Sequence, residues 1–120
     1  MFRFLKSMKF ALEGIFYALK TERNVQIWLG VLIITFIISF VLKISKTEFF
    51  FIMIWMFAIG TSELLNTAIE KLSDRVTTEK DIQIKHVKDI SAGATFVCSI
   101  GGFITCMVIF IPKIIKMISE

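Results

Sequence analysis

The sequence predicts an all-α membrane protein with three transmembrane helices and further amphipathic helices at the membrane surface. Hydrophobic residues make up 56% of the 120-residue chain, and the mean hydropathy is +0.78, whereas soluble domains are roughly 45–50% apolar. Thirteen Phe and a single Pro favour helices over turn-rich β structure. Three apolar runs approach the length that a helix needs to cross a bilayer. The chain length predicts one domain, residues 1–120.

The first predicted element is an amphipathic helix over residues 2–20. Its apolar residues recur at the spacing of one helix face, and its charged residues occupy the rest of the helical wheel. Because the charges interrupt this stretch too often for it to span a bilayer, we expect it to lie in the membrane interface. A cleavable signal peptide is not expected, since no small-residue cleavage pattern follows a short apolar segment.

The first two spans are predicted at about residues 25–42 and 49–70. Both are apolar runs of about the length that a span requires. The short polar loop 43–48 separates them. Within it, Ser45 and Glu48 form the capping-box pattern that marks the start of a helix.

The third span is predicted at about residues 94–111, after a short amphipathic surface helix over 78–93. Thr78 and Asp81 form a weak capping pair for that surface helix, and Pro112 is expected to end the span. Small residues allow helices to approach closely in this region: Gly93, Gly101 and Gly102.

The distribution of Lys and Arg predicts the orientation of the chain in the membrane. Five of these residues precede the first span and five lie between the second and third, whereas two follow the first span and two follow the third. The positive-inside rule therefore predicts a cytoplasmic N-terminus and a cytoplasmic segment 71–89 in the cell membrane. This pattern explains the net charge of +4 without nucleic-acid binding, which we do not expect.

The two cysteines and the single histidine do not indicate a metal or redox centre. Cys98 and Cys106 both lie in the third apolar run, and no Cys-x-x-Cys or Cys/His cluster is present. We therefore expect buried, inert thiols. His86 is expected to be a solvated loop residue.

A stripe of polar residues continues from the second apolar run. On a helix, Glu63, Asn66, Glu70 and Asp74 share one face about 80° wide. Ionisable groups near the membrane interior are costly and usually face a bundle interior or an aqueous cavity. Three interpretations fit the spacing: oxygen ligands for Mg²⁺, a general base whose basicity is raised by burial, or a polar seam that fixes helix register.

The residues around this stripe also resemble a known family. Residues 63–70 read Glu-Leu-Leu-Asn-Thr-Ala-Ile-Glu and are followed by Asp74, by Lys88-Asp89 and by the small-residue run Ser91–Ala94. This pattern is similar to that of the prokaryotic diacylglycerol kinases, which are small integral-membrane lipid kinases. The resemblance extends from Arg3 to Pro112. No Walker-type or protein-kinase glycine loop is present, so the known ATP-binding loop templates do not themselves predict a kinase.

The resemblance implies a homotrimer with sites shared between subunits, MgATP as co-substrate, and the following roles. Glu63 would be the catalytic base, and Glu22 and Glu70 would bind the metal. Arg3, Glu63 and Asn66 would contact the lipid substrate, and Asp74 would act through a neighbouring group. The residues implied in nucleotide binding are Phe10, Glu22, Glu70, Glu79, Lys88 and Asp89. Lys80 and Asp81 depart from the family pattern, so the resemblance implies no role for them.

Members of the family phosphorylate either undecaprenol or diacylglycerol. Local strings, including 21–24 and 110–113, resemble the undecaprenol kinase branch, which favours undecaprenyl phosphate as the product. Diacylglycerol, with phosphatidic acid as the product, remains the alternative, because both lipids offer a hydroxyl at the interface. A second alternative is a small non-enzymatic membrane subunit in which the stripe is a polar seam between helices.

Overall fold

The computed structural model describes residues 1–120 as four α-helices without a β-strand. They are α1 (Phe2–Thr21), α2 (Arg23–Val41), α3 (Lys46–Val76) and α4 (Ile82–Ser119). The helices α2, α3 and α4 are each long and apolar enough to cross a membrane. The predicted all-α class with three spans and an N-terminal amphipathic helix is therefore confirmed.

A single residue joins α1 to α2. Glu22 adopts extended backbone angles (φ −113°, ψ 118°), and it is both the C-cap of α1 and the N-cap of α2. Its backbone N–H still donates to the carbonyl of Ala18, and its own carbonyl accepts from Gln26. The two helices therefore change direction at Glu22 without a loop between them.

The turn between α2 and α3 has the predicted capping box. The Ser45 hydroxyl accepts from the backbone N–H of Glu48, and the Glu48 carboxylate accepts from the backbone N–H of Ser45. Lys43, at φ 51°, is the one non-glycine residue with a positive φ, and it reverses the chain before the cap. These reciprocal bonds satisfy N–H groups that a helix start otherwise leaves without partners.

Tryptophan rings pack against glycines where α3 meets its neighbours. The Trp28 ring of α2 contacts Gly60, and the Trp55 ring of α3 contacts Gly101 of α4; a Cβ atom at either glycine would lie 2.3 Å from the ring. Ile59 and Met56 similarly contact Gly102. At Gly93, by contrast, a Cβ atom would meet nothing within 4 Å.

The structure corrects the predicted start of the segment before the third span. Helix α4 begins at Ile82 and not at residue 78, and it runs without a break into the span, so no separate surface helix forms. The Thr77 hydroxyl accepts from the N–H of Glu79 in a local turn, while the Asp81 carboxylate accepts from the N–H groups of Gln83 and Ile84. Asp81 is therefore the N-cap itself, because its carboxylate reaches two of the free donors at the helix start.

Pro112, the predicted end of the third span, does not interrupt the helix. Helix α4 continues through Pro112 to Ser119. Proline lacks an N–H and crowds the carbonyl four residues before it, so it costs one backbone hydrogen bond. The residues after Pro112 keep their own N–H donors, and the last two turns therefore remain helical.

Most large apolar side chains face outward in the single protomer. Only 14 of the 120 residues are buried, and the core cluster contains Ile52, Met56, Ile109 and Phe110. The exposed apolar faces of α2, α3 and α4 are what helices present to lipid or to other helices in a bilayer. The protomer therefore encloses few side chains, and the ones it does enclose lie around α3.

Candidate active site

Glu63 lies at one end of an apolar cavity between α2, α3 and α4. The cavity has a volume of about 420 Å³, and eight of its 13 lining residues are hydrophobic. We call it the Glu63 cavity; its lining includes Asn24, Trp28, Thr35, Met56, Glu63, Ser99, Phe103, Cys106 and Phe110. An ionisable side chain on an apolar cavity of this size is typical of a ligand site.

Two buried oxygen atoms on the predicted stripe have no hydrogen-bond partner. They are Oε2 of Glu63 and Oδ1 of Asn66. The amide of Asn66 instead donates through Nδ2 to Oε1 of Glu70, at 3.2 Å. Since buried polar atoms are rarely left unsatisfied, these two acceptors are suited to a donor or a cation supplied by a ligand.

The polar stripe is continuous along α3, but its side chains lie in different environments. Glu63 lines the Glu63 cavity, whereas Asn66 is 5% exposed and lies beside Ile90, Ser91 and Ala94 of α4. Asp74, eleven residues after Glu63 and about 16 Å farther along the helix axis, is exposed in the last turn of α3. The four side chains therefore serve different parts of the molecule.

Glu22 is connected to α3 by an ion pair. The Nζ atom of Lys71 lies 2.8 Å from Oε1 of Glu22 and 5.3 Å from the centroid of the Tyr17 ring. The hydrogen bond that Lys71 donates to the Glu22 carboxylate raises the pKa of the Lys71 ammonium, which therefore stays charged. Lys71 directly follows Glu70 in the sequence. Its contact with Glu22 therefore places Glu22 and Glu70, the two predicted metal ligands, in the same region of the protomer.

A second, polar cavity of about 640 Å³ lies around the turn between α3 and α4. We call it the polar cavity; it is lined by Asp74, Thr77, Thr78, Glu79, Lys80, Asp81, Ile82, Ile84, Lys85, Lys88 and Asp89. The three nucleotide contacts predicted in this part of the chain therefore share one cavity with Asp74. Lys80 and Asp81, to which the resemblance assigns no role, line the same cavity.

Ion pairs engage the charged side chains of the polar cavity. Lys88 donates to Asp74 at 2.5 Å, and Lys85 donates to Asp89 at 2.6 Å. The hydrogen bond from Lys85 lowers the pKa of the Asp89 carboxyl. All four residues are partly or largely exposed, so these pairs are weak and can exchange partners when a charged ligand arrives.

Five predicted site residues line neither of these two cavities: Glu22, Asn66 and Glu70, described above, and Arg3 and Phe10 on α1. Arg3 is exposed in the first turn of α1, and Phe10 is 58% exposed on the same helix. His86 is exposed as predicted but lies on α4 and not in a loop. Cys98 and Cys106 are free thiols, but both are partly exposed in the protomer and not buried as expected.

The implied metal can be tested against the donors that the protomer provides. No group of three or more His, Cys, Asp or Glu side chains converges. Nucleotide-bound Mg²⁺ usually takes one or two protein carboxylates, with phosphates and waters completing the shell. Glu22 and Glu70 provide two carboxylates, and Asn66 adds an oxygen atom that lacks a donor. This set of hard oxygen ligands fits Mg²⁺.

Sequence reasoning assigned no role in the site to Lys71 and Trp28. Lys71 pairs with Glu22, and the indole N–H of Trp28 donates to the carbonyl of Met56 beside the Glu63 cavity. Both contacts join different helices, so no local spacing could have identified them. The sequence offered only weak signals for these two residues: Lys71 follows Glu70 directly, and Trp28 is one of two tryptophans.

Comparison with known proteins gives two matches. The sequence model of the family described as prokaryotic diacylglycerol kinase matches residues 9–110. The undecaprenol kinase of Bacillus subtilis (strain 168) is 35% identical to the chain over 112 residues, which cover 93% of this chain and 91% of that protein. Both matches include the stripe on α3 and the polar cavity.

Proposed function

The chain belongs to the prokaryotic diacylglycerol kinase family and is a membrane lipid kinase; on that premise we propose that it transfers the γ-phosphoryl group of ATP to the hydroxyl of undecaprenol. The observation that carries this proposal is the Glu63 carboxylate at the end of an apolar cavity. A lipid alcohol matches this site, because the carboxylate can accept the proton of its hydroxyl and the apolar wall can contact its hydrocarbon. The relative from Bacillus subtilis supports undecaprenol as the acceptor.

Glu63 is the proposed base. Its Oε2 atom is buried without a donor, so the hydroxyl of the acceptor can donate to it. As the acceptor oxygen attacks the γ-phosphorus, the O–H proton passes to Glu63 and the bond to the β,γ-bridging oxygen of ATP breaks. The products are the lipid phosphate and ADP. Positioning and proton removal of this kind are the main demands of phosphoryl transfer.

The polar cavity is the proposed nucleotide site. Lys88 would leave Asp74 to donate to phosphate oxygens, and Glu79 and Asp89 would contact the rest of the nucleotide. Asp74 then acts through Lys88, because it holds the ammonium in place before the nucleotide binds. Phe10 on α1 would cover the nucleotide, and Arg3 would contact the lipid at the membrane surface.

Glu22 and Glu70 are the proposed ligands of Mg²⁺, with Asn66 beside them. When bound, the metal neutralises charge on the phosphates. In this proposal Lys71 holds the Glu22 carboxylate close to α3 before nucleotide arrives.

The proposed assembly is a homotrimer, and the proposed orientation has the N-terminus and the α3–α4 turn in the cytoplasm. The excess of Lys and Arg before α2 and between α3 and α4 supports this orientation. The exposed apolar side chains of the spans support assembly, since a protomer alone buries few of them.

The experiment is a direct comparison of acceptors. The purified protein, with MgATP in mixed detergent micelles, is given undecaprenol or diacylglycerol, and lipid phosphate is measured. Preferential phosphorylation of undecaprenol is expected. A preference for diacylglycerol would instead make phosphatidic acid the product by the same mechanism, and transfer to neither lipid would overturn the proposed function.

A further inference from the structure

The Trp28 side chain is fixed in the wall of the Glu63 cavity by two contacts. Its indole N–H donates to the backbone carbonyl of Met56 at 2.8 Å. Its ring lies so close to Gly60 that a Cβ atom there would be 2.3 Å from the ring carbon Cζ2. Gly60 and Met56 are one turn apart on α3, and Glu63 lies three residues beyond Gly60. The ring is therefore held beside α3 immediately below the proposed base.

The walls of the cavity provide few hydrogen-bond donors. The single N–H of Trp28 is already used by Met56. Asn24 and Ser99 are exposed and lie at the same end of the cavity as Glu63. Apart from Thr35 and Cys106, the deeper lining is apolar and includes Val31, Met56, Phe103 and Phe110. From Asn24 to Thr35 the wall is about 16 Å long at the helix rise per residue.

The two candidate acceptors make different demands on such a wall. In a polyprenol, a single isoprenoid hydrocarbon chain, with only methyl branches and no ester group, begins directly at the carbon that carries the hydroxyl. In a diacylglycerol, two ester carbonyls lie within a few bonds of the hydroxyl, and two chains diverge from them. Ester carbonyls enclosed in a cavity without donors lose their hydrogen bonds to water, and no hydrogen bonds to the protein replace them.

We propose that Trp28, held against Gly60 and Met56, makes the Glu63 cavity selective for a single-chain isoprenoid alcohol over a diacylglycerol. This inference rests on the proposed function. The fixed ring gives the hydrocarbon next to the hydroxyl a continuous apolar surface, and it closes the space that a second chain and its ester group would need. Trp28 is thus a specificity-determining residue and takes no part in proton transfer.

The test measures kcat/KM for undecaprenol and for diacylglycerol in Trp28→Ala. The ratio of the two values is expected to fall by about tenfold, mainly through a higher KM for undecaprenol, while the KM for MgATP stays at the wild-type value. Trp55→Ala is the matched control, because it removes the same side chain from the equivalent contact with Gly101 but Trp55 does not line the cavity.

Two milder variants keep the test decisive if Trp28→Ala does not fold. Trp28→Phe loses the bond to Met56 but keeps an aromatic ring, and Gly60→Ala forces the ring to move; both are expected to lower the ratio. Gly30→Ala is the control for the latter, since a Cβ atom there meets nothing within 4 Å.

An unchanged ratio in the folded Trp28 and Gly60 variants would overturn the inference, and so would an equal change in Trp55→Ala. Failure of the wild-type protein to phosphorylate either lipid would overturn the proposed function instead. The two failures are therefore distinguishable.

Discussion

At the scale of single residues, Glu63 differs from the other carboxylates because one of its oxygen atoms is buried without a partner. Glu22 is neutralised by Lys71 and Asp74 by Lys88, and Glu70 accepts from Asn66. A carboxylate without a donor inside an apolar cavity is suited to accept a proton from a bound hydroxyl. The other three are already oriented by protein groups.

Replacement of Glu63 by Gln tests the base directly. Glu63→Gln keeps the size of the side chain but cannot accept the proton, so kcat for lipid phosphorylation is expected to fall by about 10²–10⁴-fold. Assembly, measured by size in detergent, is expected to stay unchanged. Glu13→Gln, on the exposed surface of α1, is the control. Full activity of Glu63→Gln would remove Glu63 from this role.

Lys88 provides a second test at this scale. A hydrogen bond to a charged group contributes about 1.5–3 kcal/mol, so Lys88→Met is expected to raise the KM for MgATP by about ten- to a hundredfold. Asp74→Asn is expected to have a smaller effect in the same direction, because Asp74 acts through Lys88. Lys116→Met, near the C-terminus, serves as the control. An unaltered KM in Lys88→Met would place the phosphates elsewhere.

At the scale of secondary structure, the packing of α3 against α2 and α4 depends on glycines that lie against tryptophan rings. Gly101→Ala would place a Cβ atom 2.3 Å from the Trp55 ring, and overpacking of this kind costs about 1–3 kcal/mol. We expect a lower midpoint of thermal unfolding in detergent. Gly93→Ala lies on the same helix in open space, so helix propensity predicts a midpoint equal to or above that of the wild type. Equal midpoints for the two variants would contradict this account.

The elements that the sequence predicted well are those set by local interactions. The capping box of Ser45 and Glu48 needs only residues three positions apart, and it forms as expected. The start of α4 was misplaced because both Thr78 and Asp81 are residue types that can cap a helix start, and their pattern does not decide which of them does so. Helix α4 continues past Pro112, because proline disturbs the turn before it more than the turns after it.

In the candidate site, too, local features could be predicted from the sequence, whereas contacts between helices could not. The face shared by Glu63, Asn66 and Glu70 follows from helix geometry alone and is present on α3. The ion pair between Glu22 and Lys71 and the contact of Trp28 with Gly60 depend on how separate helices pack. Periodicity carries no information on such contacts, so only the structure could reveal them.

At the scale of the whole molecule, the orientation in the membrane can be tested by labelling. In a chain with Cys98 and Cys106 replaced by Ala, Thr78→Cys in the α3–α4 turn should react with a membrane-impermeant maleimide only in inside-out vesicles. Thr47→Cys, at the start of α3, should react only in right-side-out vesicles. This result is expected because positive charge is concentrated on the side of Thr78. The reverse pattern would place the polar cavity outside the cytoplasm.

The joint at Glu22 sets a limit on how the length of this chain can vary. Connections between helices usually tolerate insertions because a loop absorbs the extra residues. Between α1 and α2 there is one extended residue and no loop. One residue added to the start of α2 would turn Glu22 by about 100° around the helix axis and away from Lys71. The segment 77–81, by contrast, has turn geometry that can accommodate an extra residue, so length variation is expected there and not at Glu22.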